Sequence, residues 1–261
     1  MTLRRLHEAD VRLVPPVIDI SQLDPPPAGF PDCAACPYLE TGTAEICFSC
    51  ASTGAEPGDG PACPVCGKEL VDGAACDNSV CQLPDPEFSD LHTILLRAED
   101  VWTALSRYKY DEDRSWAGVL GRIVTGYLDE RAVAMQRYDV ITTGALYVGP
   151  RANRLWDHLR LILEAAQAHG PQWPFAYDVI AKSGPTGQFL GRSAETRRKI
   201  AEHSLRSALS VPDPARVAGK RVLVLDDVYS EGYSMREMAR CLREAGAAEV
   251  GGLVFARKKG G

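Results

Sequence analysis

No run of 18 apolar residues occurs in this chain of 261, so the sequence offers no membrane-spanning helix and no membrane partner is expected. The first residues, Met1-Thr2-Leu3-Arg4-Arg5-Leu6, carry no apolar export-signal core, and the expected compartment is the cytoplasm. Without export, a disulfide framework is not the expected use of the cysteines. Basic residues are scarce early on: residues 1–90 hold 4 Lys and Arg against 15 Asp and Glu, a net of −11. Such a stretch grips a phosphate backbone poorly. Residues 91–261 hold 25 and 20, a net of +5, which with the first part gives the overall −6. That mildly basic part suits a phosphorylated small molecule at least as well as a nucleic acid. Aromatic residues make up only 7%, and few aromatic–basic clusters are available for base stacking.

Cysteine, by contrast, is concentrated. Eight of the nine cysteines fall within residues 33–81, as Cys33-x2-Cys36, Cys47-x2-Cys50, Cys63-x2-Cys66 and Cys76-x4-Cys81. Two close pairs about ten residues apart can place four thiolates around one Zn²⁺. Sequential pairing assigns Cys33, Cys36, Cys47 and Cys50 to one ion and Cys63, Cys66, Cys76 and Cys81 to another; interleaved pairing stays open. Gly67, directly after Cys66, suits the sharp turn of a zinc knuckle. Modules this small need metal to fold, so two structural zinc ions are expected. Cys241 lies in a helical pattern and reads as a small buried hydrophobe.

The stretch Arg221-Val222-Leu223-Val224-Leu225-Asp226-Asp227-Val228-Tyr229-Ser230-Glu231-Gly232-Tyr233-Ser234-Met235 organises the rest. An apolar run ends in two carboxylates, then a Gly- and Ser-containing loop, then apolar residues at helical spacing. This reads as a buried parallel strand, an anion-binding loop and a helix N-terminus with its unsatisfied N–H groups. Gly232 lets backbone approach a phosphate, while Ser230 and Ser234 add hydroxyls. Asp226 and Asp227 suit sugar hydroxyls or Mg²⁺. Ser234 and Glu237 also fit a capping box without any ligand.

Elsewhere, apolar spacing predicts helices over 91–110, 116–137 and 150–169. Strands are expected at 139–144, 175–181 and 250–255, and residues 11–20 could add an edge strand. Residues 182–192, rich in Gly and Pro, read as a mobile loop, followed by a helix capped by Ser193. Gly246 is placed to end the helix after the phosphate loop. Alternating strands and helices from residue 139 imply an α/β fold, a mainly parallel sheet flanked by helices. The expected division is an extension and Pro-rich linker (1–32), a double zinc-ribbon module (33–83) and an α/β domain (90–261).

The stretch from Val224 to Ser234 resembles the phosphoribosyl-diphosphate (PRPP) loop of type I phosphoribosyltransferases, with the two acids, Gly232 and the two outer hydroxyls in place and Glu231 where a small hydroxyl residue is usual. The order Tyr108-Lys109-Tyr110, acidic turn, helix, with the cysteine pairs, resembles the zinc-binding ComF-type branch linked to bacterial competence. So does the loop carrying Thr186, Gln188, Arg192 and Arg197. Two features depart from that branch: 149–154 reads Gly-Pro-Arg-Ala-Asn-Arg instead of an Arg-Gly-Phe-Asn pattern, and Lys199 replaces an Asn.

The resemblance implies Mg²⁺-PRPP as ligand and transfer of phosphoribosyl to an acceptor with release of pyrophosphate. Asp226 and Asp227 would act at the ribose or metal. Val228, Tyr229, Ser230, Glu231, Gly232, Tyr233 and Ser234 would form the phosphate loop. Thr143, Gly144, Arg151, Arg154, Lys182, Thr186, Gln188 and Arg192 are the pyrophosphate and loop candidates. A carboxylate at Glu231 is expected to repel phosphate unless it turns outward. The alternative reading is a degenerate PRPP or nucleotide sensor, or a competence-type protein handling single-stranded DNA. Oligomer formation is left open.

Overall fold

The computed structural model describes residues 61–70, 74–94, 99–110, 114, 116–152, 156–187 and 191–257. The expected edge strand at 11–20, the cysteines Cys33, Cys36, Cys47 and Cys50, and the candidates Arg154 and Gln188 lie outside the described residues.

The framework is a parallel sheet built from β1 (Leu91–Thr93), β2 (Val140–Thr143), β5 (Arg221–Tyr229) and β6 (Glu249–Arg257), in the order β1-β6-β5-β2. All three pairings are parallel. A separate antiparallel pair joins β3 (Ala181–Lys182) and β4 (Leu209–Ser210). Because side chains alternate along a strand, β5 feeds both faces. Leu223 and Leu225 join the core formed with α1 (Glu99–Tyr110), α2 (Trp116–Glu130) and α4 (His158–His169), while the four-residue α3 (Ala132–Met135) adds Met135. Val222 and Val224 join the other core, with Met235, Met238 and Leu242 of α7 (Tyr233–Glu244). All four strand residues are fully buried, and each such side chain contributes about 1.5–3 kcal/mol. This layering bears out the parallel α/β fold.

α2 and α4 cross closely. A Cβ on Gly121 would lie 2.6 Å from that of Ala165, and Thr125 Oγ1 donates to the Ala166 carbonyl at 3.0 Å. Glycine at the crossing permits the approach. Between β3 and β4, α5 (Ala194–Lys199) continues as a π-helical segment, Ile200–Leu205, and a last turn α6 (Arg206–Ala208). Ser193 caps α5, accepting from the Thr196 N–H at 3.2 Å, as its sequence position indicated.

Several local expectations are corrected. Leu91 belongs to a strand, not to the helix expected over 91–110: Leu91 and its two neighbours pair with Gly252, Leu253 and Val254. The helix expected from residue 150 begins at His158, with Asp157 accepting from the Arg160 N–H as its cap, and Arg151 has φ +62° in the preceding turn. At 175–181 the chain makes only one bridge, Phe175 to Ile141, before β3. The capping box at Ser234 does not form. α7 begins two residues earlier, at Tyr233, with Gly232 as N-cap at φ +89°. Glu237 is instead buried under Arg206, whose guanidinium donates to both carboxylate oxygens at 2.7 and 2.9 Å. Buried carboxylates need such partners, and that demand outweighs local capping. Gly246, with φ +98°, follows the helix end as expected.

Candidate functional site

β2 ends opposite Leu225, whereas β5 continues to Tyr229 beside β6. From Asp226 onward β5 is therefore paired with β6 but not with β2, and a crevice opens beyond the carboxyl end of β2. Such crevices are where open α/β sheets receive ligands. A cavity of about 280 Å³ occupies this place. Every residue from Asp226 to Ser234 lines it. Gly144, Ala145 and Leu146 of the loop after β2 contribute, as do Met235 and Met238. Three cations reach the wall from separate elements: Lys109 from the end of α1, Lys182 from β3, and Arg197 from α5.

The loop after β5 depends on Gly232. A Cβ there would sit 2.2 Å from the Tyr229 hydroxyl, and φ +89° lies in the left-handed region that glycine enters without penalty. The loop thus folds tightly over Tyr229 and presents the first turn of α7, whose N–H groups have no intrahelical acceptors.

Charges in the cavity are matched. Asp227 Oδ2 accepts from Lys109 Nζ in a short ion pair and from His158 Nε2 at 2.9 Å. Burial opposes ionisation of Asp227, but the Lys109 charge and the His158 hydrogen bond outweigh it and hold its carboxyl well below the usual range. Asp226 moves the opposite way. Burial first, then the charge of Asp227, pushes its carboxyl up to about 7. Burial lowers Lys182, which feels a countering attraction from Asp226. Glu231 is among the wall residues, and its carboxylate pairs with Arg197 Nη2 at 2.7 Å. This replaces the simple choice between repulsion and an outward side chain.

The other candidates are spread more widely. Gly144 and Lys182 line the cavity, while Thr143 sits at the end of β2 beside Leu225. Arg151 and Arg192 are exposed and Thr186 is buried, and these three are absent from the described cavity wall. Sequence reasoning missed Lys109 and His158 as site residues. Their placement depends on Tyr108, whose hydroxyl donates to the His158 carbonyl at 2.8 Å and whose ring meets Trp156 edge-on. The Tyr-Lys-Tyr order was the available signal for Lys109.

A second centre lies beside the loop. The sulfurs of Cys63, Cys66, Cys76 and Cys81 fall within 4.8 Å of one another, including Cys63–Cys81 at 3.8 Å and Cys66–Cys76 at 3.7 Å. A tetrahedron with Zn–S bonds of about 2.3 Å has edges of about 3.8 Å, so this set fits zinc. The knuckle is closed by the Cys63 N–H on the Lys68 carbonyl and the Gly67 N–H on the Cys63 carbonyl, at 2.7 and 2.8 Å. Gly67 has φ +67°, as its place predicted. The hydrogen bond between Cys66 and Cys81 draws the Cys66 thiol down to about 5 and pushes the Cys81 thiol up in turn. Sequential pairing holds for this set of four. Cys241 lies on α7, outside the cluster.

Residues 150–261 match the family model described as "Phosphoribosyl transferase domain". Over 208 residues the chain is 24% identical to competence protein ComFC of Streptococcus pneumoniae strain R6, covering 78% of this chain and 84% of that protein. Over 64 residues it is 38% identical to an amidophosphoribosyltransferase of Synechocystis sp., covering 24% of this chain but only 13% of that enzyme's length. Among solved structures, the allosteric regulatory enzyme of purine biosynthesis aligns at 26% identity and a TM-score of 0.32, over 53% of this chain and 25% of that one. Purine phosphoribosyltransferase from Pyrococcus horikoshii Ot3 aligns at 15% identity and 0.29, over 60% and 85%. Residues 150–261 thus carry a match to the phosphoribosyl transferase domain, and over most of its length the chain is similar to a ComFC protein.

Proposed function

We propose that the cavity binds PRPP with Mg²⁺, and that the protein transfers its phosphoribosyl group to an acceptor with release of pyrophosphate. The observation that carries this reading is the cavity wall, which contains all nine residues from Asp226 to Ser234 with three cations around them. The N–H groups of the loop and first helical turn, with Ser230 and Ser234, would hold the 5′-phosphate. Gly232 permits the close backbone approach. Asp227, kept ionised by Lys109 and His158, would accept from a ribose hydroxyl. Asp226 would share that task or face the metal. Its carboxyl is raised by burial and by Asp227, so a divalent cation would relieve an existing charge conflict, and carboxylate oxygen suits Mg²⁺. When bound, Mg²⁺ would neutralise charge developing on the leaving pyrophosphate. Lys182, which lines the cavity within reach of the Asp226 charge, would add a positive charge there. The C1–oxygen bond breaks with its electron pair leaving on pyrophosphate. A lone pair of the acceptor then forms the new bond to C1 through an oxocarbenium-like ribose.

A pyrophosphate-release assay with Mg²⁺-PRPP and a panel of nucleobases and amines tests the enzymatic reading. Release that depends on acceptor supports it. A protein that binds PRPP but releases nothing with any acceptor is a sensor instead. The competence-type reading is favoured by the similarity to ComFC over most of the chain; retention of single-stranded DNA in a gel shift would support it. The cytoplasmic location, the three-part division at 33 and 90, and a second zinc ion on Cys33, Cys36, Cys47 and Cys50 belong to the same proposal. The division is bridged physically, because Cys63, Cys66, Val80 and Phe88 share one core with Val222 and Val224.

A further inference from the structure

Asn78 sits between two cysteines of the four-sulfur cluster, Cys76 and Cys81. Both ends of its side chain are engaged. The Oδ1 atom accepts from the Val80 N–H at 3.1 Å, a turn within the cysteine loop. The Nδ2 group reaches 152 residues along the chain and donates to the Ser230 carbonyl at 3.3 Å. The Tyr229 hydroxyl donates back to Asn78 Oδ1 at 3.4 Å. A second route joins the same two places. Arg257 donates to the Cys66 carbonyl at 2.7 Å, and its guanidinium lies 5.4 Å from the centre of the Tyr229 ring. Tyr229 is also met edge-on by Phe88 at 6.4 Å, and Gly232 wraps over its hydroxyl.

We propose that Asn78 is a positioning residue for the phosphate loop, fixing the Ser230–Glu231 peptide so that the four-cysteine site sets how well the loop receives a phosphate. This rests on the reading of the loop as a phosphate site. A trans peptide directs its C=O and the following N–H to opposite sides. Holding the Ser230 carbonyl toward Asn78 directs the Glu231 N–H away from the cysteine loop. A flip of this peptide would exchange a donor for a carbonyl oxygen that repels phosphate. Asn78 is absent from the described cavity wall and so acts through Ser230.

Two variants of the full zinc-loaded chain separate this role from simple support of the cysteine turn. Asn78→Asp keeps the acceptor for Val80 and Tyr229 but loses the donor to Ser230, whereas Asn78→Ala loses both. With the zinc content of both equal to the parent's, Mg²⁺-PRPP titrated calorimetrically should bind about three- to tenfold more weakly to each, the loss of one ordinary hydrogen bond. The amides of residues 230–234 should exchange hydrogen faster in both. Parent-like binding and exchange in Asn78→Asp, with a weakened Asn78→Ala, would assign Asn78 to the turn alone and overturn the proposal. If the parent itself does not bind PRPP, the ligand reading fails, and amide exchange alone decides the positioning role: faster exchange in Asn78→Asp upholds it and unchanged exchange refutes it.

Discussion

Arg197 and Glu231 form a 2.7 Å ion pair at the cavity wall, joining α5 to the loop between β5 and α7. The pair balances the carboxylate in the loop with the charge of Arg197. Under the proposed function, a bound phosphate would share Arg197 with Glu231.

Replacing Glu231 by Thr frees Arg197 and removes the nearby negative charge. PRPP should bind about tenfold more tightly, about 1.4 kcal/mol. Arg197→Ala should weaken binding, because Glu231 then stands uncompensated. Adding Glu231→Thr to Arg197→Ala should restore much of the loss. Calorimetry on the four proteins forms a double-mutant cycle. A double variant as weak as Arg197→Ala alone would show that Arg197 does not act through Glu231.

Asp226 should cost stability at neutral pH. Its folded-state carboxyl is raised to about 7 by burial and by Asp227, above the unfolded value of about 3.9. Full stability is present below the unfolded value, where Asp226 is protonated in both states, and it is lost as pH rises toward about 7. Asp226→Asn should therefore raise stability at pH 7.5 by roughly 1 to 3 kcal/mol, with little gain at pH 4, while weakening PRPP binding. Thermal unfolding at the two pH values checks the sign; an equal gain at both would remove the electrostatic cause.

Lys109 acts on Asp227 in the opposite sense. The Asp227 carboxyl is lowered, so its pairing contributes stability above the unfolded value and loses it as pH falls into the acid range. Lys109→Met should destabilise by about 2 kcal/mol at pH 7, given that His158 still bonds the carboxylate and that fully unpaired buried charges cost about 3–5 kcal/mol. The difference from the parent should shrink as the pH falls and Asp227 protonates in the variant. A constant difference across the pH range would point to lost packing instead.

Metal analysis should find about two zinc ions per chain, one on each set of four cysteines. Cys63→Ser with Cys66→Ser should lose one of them, and Cys241→Ser should lose none. Disulfides in place of metal, or a loss on changing Cys241, would contradict the assignment.

What the sequence disclosed was what local pattern controls. The fully buried apolar run 222–225, the knuckle glycine Gly67 and the turn from Asp227 to Gly232 each carry their chemistry within a few residues. Leu91 was misread because a three-residue strand is too short to show a period of two, and nearby apolar residues happened to repeat at helical spacing. The capping box failed because Glu237 is claimed by Arg206, 31 residues away in sequence. Lys109, His158 and Arg197 reach one cavity from three separate elements, α1, α4 and α5, brought together only by the tertiary fold. Nothing in the spacing of three isolated basic residues announces their convergence, although Arg197 and Lys109 did fall within the ComF-like patterns.

The central claim is that the crevice beyond β2 is a PRPP site built on Asp226 and Asp227. Its most direct test is calorimetric titration of PRPP with Mg²⁺ into the parent chain and into the variant carrying Asp226→Asn with Asp227→Asn. Saturable one-site binding to the parent, with loss of at least tenfold in a folded variant of unchanged zinc content, is the predicted result. Equal affinity in the two proteins would remove the carboxylates from the site, and no binding to the parent would contradict the account as a whole.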